Sequence, residues 1–222
     1  IRPKGGALER LPFRTDSLHT QSYQVHVKLT DTPQTPIKVE CKSRLSQYEA
    51  NASMLRNKPE ERKDRIRKNI QLNRATIGEV EVFETSDSIP ELTERYTLQA
   101  MYGNKNGNRF FIPVNPFREE PFRLTKEKRK HDIHLSYGYM DNDTIRISLP
   151  EGYQVETKPK DISQTYPFGH IQSKIEVTDK ELVITQSLFI KKGVYPVSQI
   201  NEFIVFGEAI KKAYNGKIVL KK

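Results

Sequence analysis

The chain has 222 residues, of which 35% are hydrophobic and 29% charged, with a formal net charge of +9. That length suits one large or two small domains, and Val, Ile, Leu, Phe and Tyr recur too often for wholesale disorder. No apolar run reaches the roughly 18 residues of a membrane-spanning helix, and a single cysteine, Cys41, excludes an internal disulfide.

The opening Ile1-Arg2-Pro3-Lys4-Gly5-Gly6 has no apolar core and is not a signal peptide. The expectation is a fragment of a longer protein, or a mature form without its leader. A loose Gly-Gly and Pro12 segment leads into SYQVHVKLT (Ser22 to Thr30), where Tyr23, Val25, Val27 and Leu29 share one face. Period two predicts a half-buried strand. Thr32 to Pro36 reads as a turn. IKVECKSRL (Ile37 to Leu45) alternates again, with Cys41 on the apolar face, so the two runs predict an antiparallel pair. Residues 47–74 change to helical spacing. Pro59 near the start, Glu60-Glu61 behind it and later Arg and Lys match a helix and its dipole, with Asn57 or Lys58 as the start.

Strands are predicted again at Ile77 to Thr85, Leu92 to Tyr102 and Arg109 to Val114, the last two joined by a hairpin loop over 103–108. Asn115-Pro116 to Pro121 reads as a joint between modules. Beyond it, His131 to Tyr139 predicts a strand, Met140 to Asp143 a turn and Thr144 to Pro150 a strand. LPEGYQVETKP is a corner between two short strands that ends at Pro159. Gly169 to Val177 and Leu182 onward form a hairpin. Ser198 is a candidate helix cap ahead of the stripe Phe203, Phe206, Ile210, Ala213 and Tyr214, and Asn215-Gly216 ends that helix before a last strand, KIVL.

The expected fold is therefore mainly β, as two tandem β-sandwich-like modules with one helix on or beside each. Residues 1–116 form an N-terminal β module with an inserted charged helix (about 47–74). Residues 117–222 form a C-terminal module with a closing helix (about 198–214).

Chemistry is sparse. Cys41 sits in phase with Val39 and reads as a buried structural thiol. His131 and His134 lie three apart on a predicted strand, which sends them to opposite faces, so no metal site is expected. Phosphate-loop, dinucleotide and hydrolase-elbow motifs do not occur. Glu60-Glu61 and Glu119-Glu120 read as dipole and surface residues. Arg62, Lys63, Arg65, Arg67, Lys68 and Arg74 give the helix a basic end, read as a solvated face with a Glu61–Arg65 pair rather than as a phosphate grip. No catalytic, cofactor-binding or metal-ligating residue is assigned, no cofactor is expected, and no nucleic-acid partner is expected.

ISLPEGYQVETKP, YPFGHIQSKIEV and the run from LVITQSLFIKKGVYP to the C-terminus carry a resemblance. From about Phe117 to Lys222 the chain resembles the C-terminal β-domain, of unknown function, that follows a transglutaminase-like (papain-fold) core in bacterial, mostly envelope-associated proteins. The N-terminal half resembles the β-region that links core and domain. The family core uses a Cys, a His and an Asp, and none of them is matched here. The resemblance implies a non-catalytic accessory region of a transglutaminase-like peptidase or amide-transfer protein. It also implies that core as partner in the same protein and a periplasmic or cell-surface location. The alternative is a module binding an envelope glycan or polyanion, with Tyr96, Tyr102, Tyr137, Tyr139 and Tyr153 as stacking rings. A third reading is strand addition to a protein partner.

Overall fold

The structure is a computed structural model, and it describes residues 15–32, 34–85, 88–122 and 131–222. The Gly-Gly and Pro12 segment and Pro33 of the first turn lie outside the described residues. The strands are β1 (Thr20–Lys28), β2 (Thr35–Arg44), β3 (Asn73–Thr85), β4 (Glu91–Met101), β5 (Asn104–Asn106), β6 (Arg109–Pro113) and β7 (Ile133–Leu135). They continue with β8 (Tyr139–Ser148), β9 (Gln154–Thr157), β10 (Ile162–Tyr166), β11 (Gly169–Val177), β12 (Glu181–Ile190), β13 (Gly193–Tyr195) and β14 (Lys217–Lys221). The helices are α1 (Ser46–Asn51), α2 (Pro59–Asn69) and α3 (Ile200–Asn215).

The fold is mainly β and sandwich-like. One sheet has eight strands in the order β10-β11-β12-β8-β1-β2-β4-β3, a second has four in the order β5-β6-β14-β9, and β13 pairs with β7 alone. The strands before and after Pro116 belong to the same large sheet, joined by β1 and β8, which run parallel over nine residue pairs. Every other ladder in that sheet is antiparallel. Two apolar clusters fill the interior. One lies between the large sheet, the four-stranded sheet and α2, and includes Val25, Ile37, Ile145, Phe110 and Ile218. The other lies under α3, where Phe203, Phe206 and Ile210 meet Phe168, Ile171 and Leu188.

Several local readings are corrected. Met140 to Asp143 is not a turn but the first half of β8, with Asp141 and Asp143 facing inward in phase with Ile145 and Ile147. The strand expected over His131 to Tyr139 is three residues long. The charged insertion is two helices with a 3-10 turn between them, and β3 already begins at Asn73. Pro59 does occupy the first turn of α2, with Lys58 as cap and the Glu61 carboxylate accepting from the Lys58 N–H at 3.0 Å. Glu61 therefore serves the cap rather than Arg65, whose guanidinium donates to Ser53, Ala50 O and Asn51. Ser198 lies in a 3-10 turn, and α3 starts after Gln199 without a side-chain cap.

The LPEGY corner does more than fold a strand back. Tyr153 N–H donates to Pro150 O at 3.2 Å, and Gly152 takes φ +81, the geometry of a type II turn. The chain then leaves the eight-stranded sheet at Ser148 and enters the four-stranded one at Gln154. Gly169 is more constrained: at φ +146, an added Cβ would lie 1.8 Å from Phe189 O. Gly152→Ala adds strain alone, since the space around it is open, and is expected to cost about 1–2 kcal/mol. Gly169→Ala adds a backbone clash and is expected to cost clearly more. Urea titration of both variants checks the order, and equal losses would contradict it.

Candidate functional site

Register lines up side chains in rows across the large sheet. One inner row is apolar: Ile175, Ile184, Ile145, Val25, Val39 and Tyr96. The next row, two residues along each strand, is Ser173, Gln186, Asp143, Tyr23, Cys41 and Glu94. A polar row thus crosses the interior and separates the two apolar clusters. Asp141 lies beside it in the following row, opposite Gln21.

Buried polar groups are costly unless paired, and the segment Asn115–Arg118 does the pairing. Asn115 Nδ2 donates to Asp143 Oδ2 at 2.9 Å and to Gln186 Oε1 at 2.8 Å. Gln186 Nε2 donates to Ser173 Oγ at 3.0 Å and to Ala213 O on α3 at 2.6 Å. Arg118 grips Asp143 with two donors, Nε and Nη2, both at 2.9 Å. Its Nη1 reaches Gln21 Oε1 at 2.7 Å and Asp141 Oδ2 at 3.2 Å, and Nη2 also reaches Gln21 O. Four hydrogen bonds and the Asp141 ion pair thus hold the guanidinium. Tyr23 stacks beneath it, with Cζ 4.8 Å from the ring centroid. Burial works against the Arg118 charge, yet Asp141 and Asp143 hold its pKa well above the ordinary value.

The two carboxylates are not equivalent. Asp143 accepts from Arg118, Asn115 and the Tyr23 N–H, so both its oxygens are used. Asp141 Oδ1 is buried and accepts from nothing among the described residues. Burial pushes the Asp141 carboxyl up to about 7, with Arg118 opposing and Asp143 adding to the rise. One guanidinium cannot neutralise two buried carboxylates, so the proton goes to the less well-solvated one.

Next to this network a cavity of about 310 Å³ opens between the sheet and the pair α1 and α2. Its floor includes Glu94, Tyr96 and Asp141, and its mouth is formed by Ala50, Asn69 and Glu119. Glu94 is 7% exposed. Burial raises its carboxyl, and Arg65 opposes this through space.

The other residues singled out from sequence lie apart. Cys41 is 2% exposed, and burial, then the nearby Glu94 charge, push its thiol up. Tyr96, Tyr102 and Tyr153 are core residues, Tyr139 is half-buried, and Tyr137 is exposed, so the five rings form no shared stacking surface. Arg62 and Arg65 turn back onto main-chain carbonyls of the preceding helical segment. Among the described residues no group of three or more His, Cys, Asp or Glu is arranged to hold a metal ion. Sequence reading missed Arg118, Asp141, Asp143 and Glu94. Three of these are carboxylates in phase with an apolar alternation, and that signal could have found them.

A sandwich-like β protein with a paired polar row through its core is the class that fold and site define. Residues 108–220, β6 through β14, match the family described as "Domain of Unknown Function with solved-structure structure" (DUF3858), and the chain belongs to that family. No curated protein matches the chain.

The proton on Asp141 gives stability a defined pH dependence. An Asp with an unfolded pKa near 3.9 and a folded value of about 7 stabilises the fold fully below about pH 4, and that stability is lost as pH rises through 7. Asp141→Asn mimics the protonated form. It is expected to melt with the native protein at pH 4 and above it at pH 8. Arg118→Met strands the charge of Asp143 and is expected to cost about 3–5 kcal/mol at pH 7.5. Calorimetry across this range tests both, and an Asp141→Asn protein less stable at pH 8 than the native one would refute the assignment.

Proposed function

We propose that this chain is a non-catalytic accessory region that braces a transglutaminase-like core belonging to the same protein, exported to the periplasm or cell surface. The observation that carries the non-catalytic part is Cys41. Thiol catalysis needs an accessible thiolate beside a base, and the only thiol of the chain is walled in between Tyr23 and Glu94 with its pKa raised. The bracing role is supported by the eight-stranded sheet that unites the family domain with the β region before it. The resemblance of ISLPEGYQVETKP and the following runs supports the identity of the core.

The test has two parts. The isolated chain is expected to release no ammonia from a glutaminyl peptide, to cleave no amide and to leave Cys41 unmodified by a thiol reagent while native. The gene upstream of Ile1 is expected to encode an export signal and a core with Cys, His and Asp. Turnover by the chain would sink the first part, and a start codon close to Ile1 the second.

A second reading, glycan or anion binding, is favoured by a groove of about 820 Å³ on the outer face of the large sheet. There Arg146, His26, Lys38 and Thr97 stand side by side on four adjacent strands. Retention on immobilised anionic polysaccharide that is lost in Lys38→Glu and at high salt would support it. Retention unchanged by Lys38→Glu would remove the groove from consideration.

A further inference from the structure

We propose that the cavity over Glu94 is a binding site for a primary alkylammonium group, carried either by a small amine or by a lysine side chain.

The balance of donors and acceptors carries the argument. The two arginines at the cavity are already committed to the protein. Arg118 is held by four hydrogen bonds and the Asp141 ion pair, and Arg65 donates to Ser53, Ala50 O and Asn51. The carboxylates are not. Glu94 is more than nine-tenths buried, lines the cavity, and receives no hydrogen bond from the described residues. Asp141, at the other end of the floor, keeps one oxygen without a hydrogen-bond partner, an acceptor once the carboxyl loses its proton above about pH 7. An anion would meet carboxylates and no open cation, whereas an ammonium group supplies the missing donors.

The remaining walls suit the rest of such a ligand. Tyr96 and Phe117 present ring surface, and ring faces attract ammonium groups. One face of Tyr23 is taken by Arg118. Ile66 and Ile70 offer aliphatic contact for a short carbon stem. At about 310 Å³ the cavity has room for roughly ten waters, enough for a four-carbon chain and its ammonium head. The exposed mouth at Ala50, Asn69 and Glu119 admits a ligand from solvent. Glu119 adds a third acceptor at the mouth.

The experiment uses the full chain and four probes: butylammonium, Nα-acetyl-lysine methylamide, and their uncharged counterparts butanol and the Nε-acetylated lysine derivative. Amide resonances of Glu94 and Tyr96 are followed by NMR titration. The two cationic probes are expected to give saturable shifts and the neutral ones none. Glu94→Gln is expected to weaken the cationic probes about tenfold or more, with its fold verified by circular dichroism. Tighter binding of the lysine derivative would mark a polypeptide lysine as the source, and tighter binding of butylammonium a free amine. Equal shifts from charged and neutral probes, or no saturable shift from either cation, would overturn the proposal on the native protein alone. Unchanged affinity in a folded Glu94→Gln protein would overturn it as well.

Discussion

The central fact of this molecule is that its innermost strand carries two carboxylates. Asp141 and Asp143 lie on β8, which has β12 on one side and β1 on the other. Left alone, their desolvation would prevent the sheet from closing. Arg118 makes the arrangement possible, and the position of Arg118 then fixes much else. To reach both carboxylates it must lie over the β1–β8 seam, where it also holds the side chain and the carbonyl of Gln21. The Asp143 carboxylate in turn holds the Tyr23 N–H across that seam. The seam is the only parallel ladder of the sheet, and parallel pairing is slightly weaker per residue. The buried ion pairs of Arg118 thus sit beside the parallel ladder of that sheet. An apolar trio of the same volume would pack there at least as well. What the trio of Arg118, Asp141 and Asp143 adds is register, because a one-residue slip of β8 would carry both aspartates to the opposite face.

The same interaction accounts for the division of the core. The apolar cluster under α3 and the larger one between the two sheets touch opposite sides of the polar row. Asn115 and Gln186 extend the row to the carbonyl of Ala213, so α3 is fastened to it near its C-terminal end. Val114 and Asn115 also donate to Gly216 O and Tyr214 O. The chain segment that looks most like a linker in sequence, Asn-Pro-Phe-Arg, is one of the most buried stretches of the structure.

That mismatch shows what was legible and what was not. Alternation located β1, β2 and β3, and the 3.6-residue stripe of Phe203, Phe206 and Ile210 located α3, because those residues bury against apolar neighbours and local pattern suffices. Met140 to Asp143 failed for a physical reason. Aspartates in an unpaired context belong in turns, and the partner that changes their context, Arg118, is more than twenty residues upstream. Glu94 failed in the same way. It is in phase with Leu92, Tyr96 and Leu98, so its burial was legible, while the cavity it faces is formed by helices whose packing no local pattern encodes. The ISQTY strand, β10, has exposed residues at its centre and so no alternation to read. Charge misled too. The segments outside the described residues hold nine of the 37 Lys and Arg but only three of the 28 Asp and Glu, so most of the net +9 lies outside the described residues.

The family match begins at residue 108, and the polar row tells how that boundary should be understood. Remove everything before β6, and β8 becomes an edge strand with open hydrogen-bonding groups along its whole length. Arg118 would lose Gln21 and the Tyr23 ring, Asp143 would lose the Tyr23 N–H, and a satisfied network would become a half-satisfied one, which is worse than an apolar core. The strands that precede the family domain are therefore not an appendage to it. They supply the partner that its central strand needs, and the arginine that binds the halves together lies ten residues inside the boundary between them.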